Sequence, residues 1–261
     1  MVDDVAMTEG AIRHNVTPQH RSENAMDIKD KIIIMTGASS GIGRAAATTL
    51  HRAGAKMVLA ARSRAALEEL ATELPGSLVV ESDVTRAEDV GRLVDSTMKK
   101  HGRIDVLVNN AGRGMYGAIE NAGLDDYRAV FELNVVAPLA LMQAVIPLMR
   151  TQGGGAILNI SSMLSKMYLP QLGAYASTKY ALNALSQTAR AELAKDNIVV
   201  SLMLPALTAT EFGEKAIKSD AAAEDLSSRN RAGMPAPDSV EYIAGRIKLA
   251  IETGEAETMV R

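Results

Sequence analysis

Lys31-Ile32-Ile33-Ile34-Met35-Thr36-Gly37-Ala38-Ser39-Ser40-Gly41-Ile42-Gly43 is the stretch from which the fold can be read. A short, unbroken apolar run suits a strand buried on both faces. It ends in a glycine- and serine-rich turn, and a helical pattern follows to about residue 53. The same alternation then repeats. Residues 55–61, 77–81, 104–109, 156–161 and 198–203 read as strands. Residues 64–73, 87–101, 123–150 and 172–194 read as helices. Asp238 is placed to cap a last helix, and 257–260 to form a short final strand. This order implies an α/β fold, one parallel sheet covered by helices on both faces. Right-handed crossovers make it doubly wound. Residues 28–261 then form a single domain, since no linker or repeat divides them. Residues 1–27 are polar and aperiodic and read as a flexible arm; 206–236, rich in Ala, Ser and charge, read as a mobile lid.

Composition narrows the partners. The chain has 261 residues, 47% of them apolar, and a net charge of −3, which gives no basic surplus for nucleic acid. The absence of cysteine excludes disulfides and thiolate metal sites. His14, His20, His51 and His101 are scattered, so no metal is expected. No unbroken apolar run approaches the ~18 residues of a membrane helix, and the first residues lack the apolar core of a signal peptide. The expectation is a cytoplasmic protein with no membrane partner.

The glycine turn opens directly into a helix. Glycines let a backbone approach a pyrophosphate, and a helix N-terminus supplies unpaired N–H groups. The spacing, G-x-x-x-G-x-G, differs from the G-x-G-x-x-G fingerprint but answers the same packing problem. The second strand ends Ala60-Ala61-Arg62-Ser63-Arg64, without the acid that would bind ribose hydroxyls and repel a 2′-phosphate. Arg62 is placed for such a phosphate, which points to NADP(H). Arg62 and Arg64 starting an exposed helix is the plainer alternative.

Tyr175 and Lys179 lie four apart, which on a helix stacks phenol and ammonium on one face. A cation beside a phenol favours the phenolate and lowers its pKa toward the range of a general acid/base. The bare pair is equally the pattern of a surface tyrosine packed on a lysine stem.

Together, Thr36 to Gly43, Asn109-Asn110-Ala111-Gly112, Ser161-Ser162 and Tyr175-x-x-x-Lys179 resemble the classical short-chain dehydrogenase/reductase family. The likeness runs from about Asp30 to the C-terminus. It implies a Rossmann-type sheet of about seven strands, a nicotinamide cofactor, and hydride transfer between a ketone or aldehyde and an alcohol. Tyr175 would be the acid/base. Lys179 would lower its pKa and hold the nicotinamide ribose. Ser162, rather than Ser161, would hydrogen-bond the reacting oxygen. Asn134 resembles the fourth catalytic member. The cofactor contacts implied are Gly37, Ser39, Ser40, Gly41, Ile42, Gly43, Arg62, Asp83, Val84, Asn110, Ala111, Gly112, Tyr175, Lys179, Pro205, Leu207, Thr208 and Thr210. Asn109 would instead tie strands together. Pro205-Ala206 stands where the family commonly has Pro-Gly, which leaves the path of that loop open.

Pro138 adds a reading of its own. It has no N–H for the carbonyl of Asn134, so the helix should kink there. The freed carbonyl either holds a relay water or the kink only aids packing.

Substrate should sit beyond the carboxyl ends of the strands. There stand 113–116, 163–172 and the 206–236 segment, with Met115, Met163, Leu164, Met167, Tyr168, Leu169 and Leu207. This suggests a mid-sized, mostly apolar carbonyl or alcohol. Two alternatives are a 3-oxoacyl thioester reductase and a non-catalytic NADP-binding regulator. The helices near 123–150 and 172–194 resemble the family's dimerisation surfaces, which implies a homodimer or homotetramer.

Overall fold

The computed structural model describes residues 26–218 and 236–260. The arm expected over 1–27, save its last two residues, lies outside them, as does the 219–235 part of the expected lid. β1 (Ile32–Thr36) leads into α1 (Gly41–Arg52), β2 (Lys56–Ala61) into α2 (Arg64–Glu73), and β3 (Leu78–Glu81) into α3 (Ala87–His101). After β4 (Val106–Asn109) come a two-residue strand β5 (Met115–Tyr116), α4 (Leu124–Phe131), a π-helical turn at Glu132–Val136 and α5 (Ala137–Thr151). Then follow β6 (Gly155–Ile160), α6 (Gly173–Leu193), β7 (Ile198–Leu204), a two-residue β8 (Ile217–Lys218), α7 (Val240–Thr253) and β9 (Glu257–Met259).

Seven strands form one sheet in the order β3-β2-β1-β4-β6-β7-β9. Every neighbouring pair is parallel. β1 lies inside the sheet between β2 and β4, and its side chains alternate between two cores. Ile33 and Met35 pack with Leu50 of α1 and Ile247 of α7. Ile32 and Ile34 pack with Leu93 of α3 and with Leu141 and Val145 of α5. Both faces being covered explains why the strand reads as a continuous apolar run. Ile34 is fully buried, and its truncation to Ala should cost about 2–5 kcal/mol. Strand order reverses between β2 and β4 on either side of β1, so a crevice opens at their carboxyl ends.

Three local expectations change. The helix cap is Ser239, whose Oγ accepts from the Tyr242 N–H at 3.1 Å. Asp238 instead pairs with Thr208 in an isolated bridge. The helix expected over 123–150 is interrupted, because Pro138 cannot donate to the Asn134 carbonyl. The chain widens into a π turn in which the Ala137 N–H bonds to the Glu132 carbonyl. The whole run Leu124–Thr151 covers 28 residues, and its most apolar window has a mean hydropathy of 1.8. By length and composition it could cross a membrane, which residue runs alone had not suggested. Here Val135, Leu141, Met142, Val145 and Met149 of this run are buried.

Candidate active site

The glycine turn is shaped by what a side chain would strike. Gly37 has φ +65°, and a Cβ there would stand 2.9 Å from Asn110 Nδ2. A Cβ on Gly43 would stand 2.2 Å from the Gly37 carbonyl oxygen. Only glycine lets α1 start this close to the end of β1. Thr36 fastens the turn to the next strand of the crevice. Its hydroxyl donates to the Val108 carbonyl at 3.2 Å and accepts from the N–H groups of Asn110 and Ala111 at 3.0 and 3.1 Å. Asn110 Nδ2 donates to the carbonyls of Thr36 and Gly37 at 2.9 and 3.3 Å. Its amide therefore holds the turn, a task that sequence reasoning had not given it. Ser39, Ser40, Gly41 and Ile42 lie along the partly exposed mouth of the turn, where the first helical N–H groups lack intrahelical partners.

Arg62 follows the end of β2. It is exposed, and among the described residues it makes no ion pair or hydrogen bond. Arg64 is paired with Glu68 at 2.7 Å. Both arginines line an open cavity of about 740 Å³ with Asp83, Arg86 and Arg92. The Asp83 carboxylate accepts from the Thr85 N–H and hydroxyl at 3.1 and 2.7 Å, which shapes the loop after β3. Val84 beside it is buried.

At the other end of the crevice, α6 brings Tyr175 and Lys179 onto one buried face. Ser162 follows β6 by two residues and hydrogen-bonds the Tyr175 phenol. Lys179 Nζ donates to the Ile160 carbonyl at 2.9 Å and lies 5.9 Å from the centre of the Tyr175 ring. Burial lowers the Lys179 pKa to about 8. Burial also raises that of Tyr175, against a lowering by the Ser162 hydrogen bond. The expectation of a lowered tyrosine pKa is thus corrected. Desolvation of the phenolate outweighs the Ser162 hydrogen bond, and the Tyr175 pKa moves up.

Asn134 lies in the π turn and is fully buried. Its Oδ1 accepts from the Arg113 N–H and its Nδ2 donates to the Arg113 carbonyl, both at 2.9 Å. The amide thereby pairs with one residue of main chain as a neighbouring strand would. A third bond goes to Thr178 Oγ1 at 3.1 Å. Gly112 lies alongside, where a Cβ would be 3.2 Å from Asn134 Oδ1 and 3.7 Å from Lys179 Nζ. Asn134, Ser162, Tyr175 and Lys179 are therefore brought together. Asn109 donates across the strands to Asn159 at 2.8 Å, as expected of a structural residue.

The segment after β7 crosses the crevice. Pro205 accepts from the Met163 N–H at 2.9 Å, and Leu207 and Thr208 pair with Asp238. Thr210 stands over the glycine turn, 3.3 Å from where a Gly41 Cβ would be. Phe212 tilts against the Tyr175 ring at 5.8 Å. β8 then pairs with β5, and Arg113 Nε donates to the Lys215 carbonyl at 3.1 Å. Within 206–218, therefore, the expected lid is docked.

Met115 and Leu164 join the apolar cluster around Tyr175. Met167, Tyr168 and Leu169 do not line that site. They are exposed and line a separate apolar cavity with Ala176 and Tyr180, on which Tyr168 stacks at 5.7 Å. An apolar loop reads alike whichever way it faces. Phe212 was missed, although it is one of only two phenylalanines in the chain.

The short chain dehydrogenase family matches residues 31–221. The chain is 32% identical over 260 residues to the dehydrogenase/reductase SDR family protein 7-like of Anopheles gambiae, covering 96% of this chain and 81% of the relative. An alcohol dehydrogenase from the archaeon Thermococcus sibiricus, complexed with 5-hydroxy-NADP, superposes with a TM-score of 0.76 at 28% identity, covering 89% of this chain and 97% of its own. A 7α-hydroxysteroid dehydrogenase complexed with NADH and 7-oxo glycochenodeoxycholic acid gives 0.79 at 27%, covering 92% and 96%. The chain belongs to the short-chain dehydrogenase/reductase family and is an oxidoreductase of that family.

Proposed function

We propose that the protein is an NADP(H)-dependent reductase or dehydrogenase that interconverts a mid-sized, mostly apolar ketone or aldehyde and its alcohol. The observation that carries this is the meeting of Ser162, Tyr175, Lys179 and Asn134 at one end of a crevice whose other end is a glycine turn. The residues present fit a dinucleotide. Gly37, Gly41 and Gly43 keep backbone space clear; among the described residues Arg62 has unpaired donors, and buried Lys179 has three donors but one acceptor, the Ile160 carbonyl. Gly37 to Gly43 would hold the pyrophosphate. Asp83, Val84, Asn110, Ala111 and Gly112 would flank the adenosine, Lys179 would hold the nicotinamide ribose, and Pro205 to Thr210 would lie along the carboxamide. Bound there, the cofactor supplies or accepts a hydride.

The protein's own part is the proton and the field. A buried phenol with a raised pKa stays protonated at neutral pH, so Tyr175 can give its proton to the carbonyl oxygen as hydride arrives at carbon. Ser162 donates to the same oxygen and steadies its growing charge. In the reverse direction the base is the phenolate form of Tyr175, reached once the phenol has given up its own proton, and it takes the proton of the alcohol. Met115, Leu164 and the Phe212 ring supply an apolar wall and exclude water.

Arg62 supports NADP(H) over NAD(H), while the structural relatives include complexes of both kinds. The rival thioester reductase needs a basic patch for an acidic carrier. Arg128 and Arg150 instead pair with Asp125 and Asp196, and Arg190 bonds main-chain carbonyls. A non-catalytic regulator would not need the four polar residues together. A cytoplasmic homodimer or homotetramer belongs to the same proposal. The test is NADPH absorbance decay over a ketone panel, with Tyr175→Phe as control. Turnover lost in the variant with NADPH binding kept is the expected result; no turnover by wild type across the panel overturns it.

A further inference from the structure

Four side chains along α6 reach across to the end of β6. Ser162 hydrogen-bonds Tyr175, and Lys179 Nζ donates to the Ile160 carbonyl. Asn183 Oδ1 accepts from the Ser161 hydroxyl at 2.6 Å, and Ser186 Oγ accepts from Asn159 Nδ2 at 2.8 Å. Steps of four, four and three keep all of them on one helical face. The first two belong to the proposed chemistry. The third has no role in it so far.

Asn183 has a second bond. Its Nδ2 donates to Ser165 Oγ at 2.8 Å, and the Ser165 hydroxyl donates to the main-chain carbonyl of Ser162 at 2.6 Å. Ser161, Ser165 and Asn183 are all buried, so water competes little with these bonds. Ser162 is thus bracketed. The residue before it is tied to one end of the Asn183 amide, and its own carbonyl is tied, through Ser165, to the other. The Ser162 hydroxyl also accepts from the Leu164 N–H at 3.2 Å, within the same turn.

We propose that Asn183 is a positioning residue. Acting through Ser161 and Ser165, it fixes the direction of the Ser162 hydroxyl toward the Tyr175 phenol. This rests on the reading of Ser162 and Tyr175 as the pair that handles the carbonyl oxygen. The polarity of the amide matters. It offers one acceptor to Ser161 and one donor to Ser165, which leaves the Ser165 proton for Ser162. Aspartate would offer two acceptors and draw that proton away. Leucine would offer nothing.

The Tyr175 signal in ¹³C-tyrosine NMR at neutral pH reads the Ser162 bond without turnover. Tyr175→Phe assigns it, and Ser162→Ala gives the displacement that marks loss of the bond. Asn183→Asp, Asn183→Leu and Ser165→Ala should each displace it in the same direction, with NADPH affinity kept. In turnover each should lower kcat about tenfold at unchanged NADPH KM, and add nothing in a Ser162→Ala background, as coupled residues do. A Tyr175 signal that stays at its wild-type position in Asn183→Asp and Ser165→Ala overturns the proposal. So do losses that multiply with that of Ser162→Ala. If Asn183→Leu fails to fold, Ser165→Ala removes one hydroxyl and carries the same test. Should wild type reduce no ketone, the catalytic reading falls, and the NMR displacement still decides the positioning.

Discussion

At one end of the crevice Arg62 stands exposed, with no partner among the described residues. At the other, Lys179 is buried and bonded to the Ile160 carbonyl. The glycine turn near Arg62 works by keeping atoms away. The α6–β6 face near Lys179 works by tying polar groups to one another. An exposed guanidinium keeps its water and its freedom until an anion arrives, so altering it should change affinity. A buried, hydrogen-bonded set is oriented beforehand, so altering it should change rate.

Four experiments test that contrast. The largest effect belongs to Tyr175→Phe, which should lower kcat about 10³-fold while NADPH binding stays within twofold. Comparable losses in both quantities would erase the division between the two ends. Next is Gly43→Ala. Its Cβ would meet the Gly37 carbonyl oxygen at 2.2 Å, a backbone atom that cannot swing aside. Stability should fall by about 3 kcal/mol or more, read by urea unfolding. A variant as stable as wild type would show that the turn can open.

Arg62→Ala comes third. Loss of charge-assisted bonds of about 1.5–3 kcal/mol should raise the NADPH KM roughly 10- to 150-fold. Neither kcat nor the KM for NADH should move. Equal weakening of both cofactors would remove the phosphate from the argument.

The smallest effect is a pH dependence. Burial lowers the Lys179 pKa to about 8 from an ordinary 10.5. Between those values the unfolded chain binds more protons at this residue than the folded one. Folding stability from this group therefore grows as pH rises from about 8 to 10.5 and is lost as pH falls back to 8. Paired calorimetry should show wild type gaining on Lys179→Met across that window. The opposite trend would mean that favourable contacts to the ammonium outweigh its burial.

Legibility in sequence followed the length of each signal. β1 and its glycine turn were plain because four consecutive apolar residues and three spaced glycines leave few alternatives. Ser162, Tyr175 and Lys179 stood out through the family resemblance, since four-residue spacing alone fits a surface tyrosine as well. Phe212 meets Tyr175 only because two-residue β8 finds two-residue β5, and strands that short have no period to detect. The π turn was foreseen at Pro138 as a kink, since a missing N–H reveals a lost bond but not what replaces it. The Tyr175 shift was misjudged because four-residue spacing announces the cation and says nothing of depth. Asn183 continues the Tyr175, Lys179 series at the next step of four. It passed unnoticed because an amide on a helix carries no chemistry until its partners are known.

Thr210 covers the glycine turn and Phe212 covers the phenol, and only one residue separates them. A hand's breadth of chain therefore latches both compartments. Any substitution that displaced this span would therefore disturb both compartments at once.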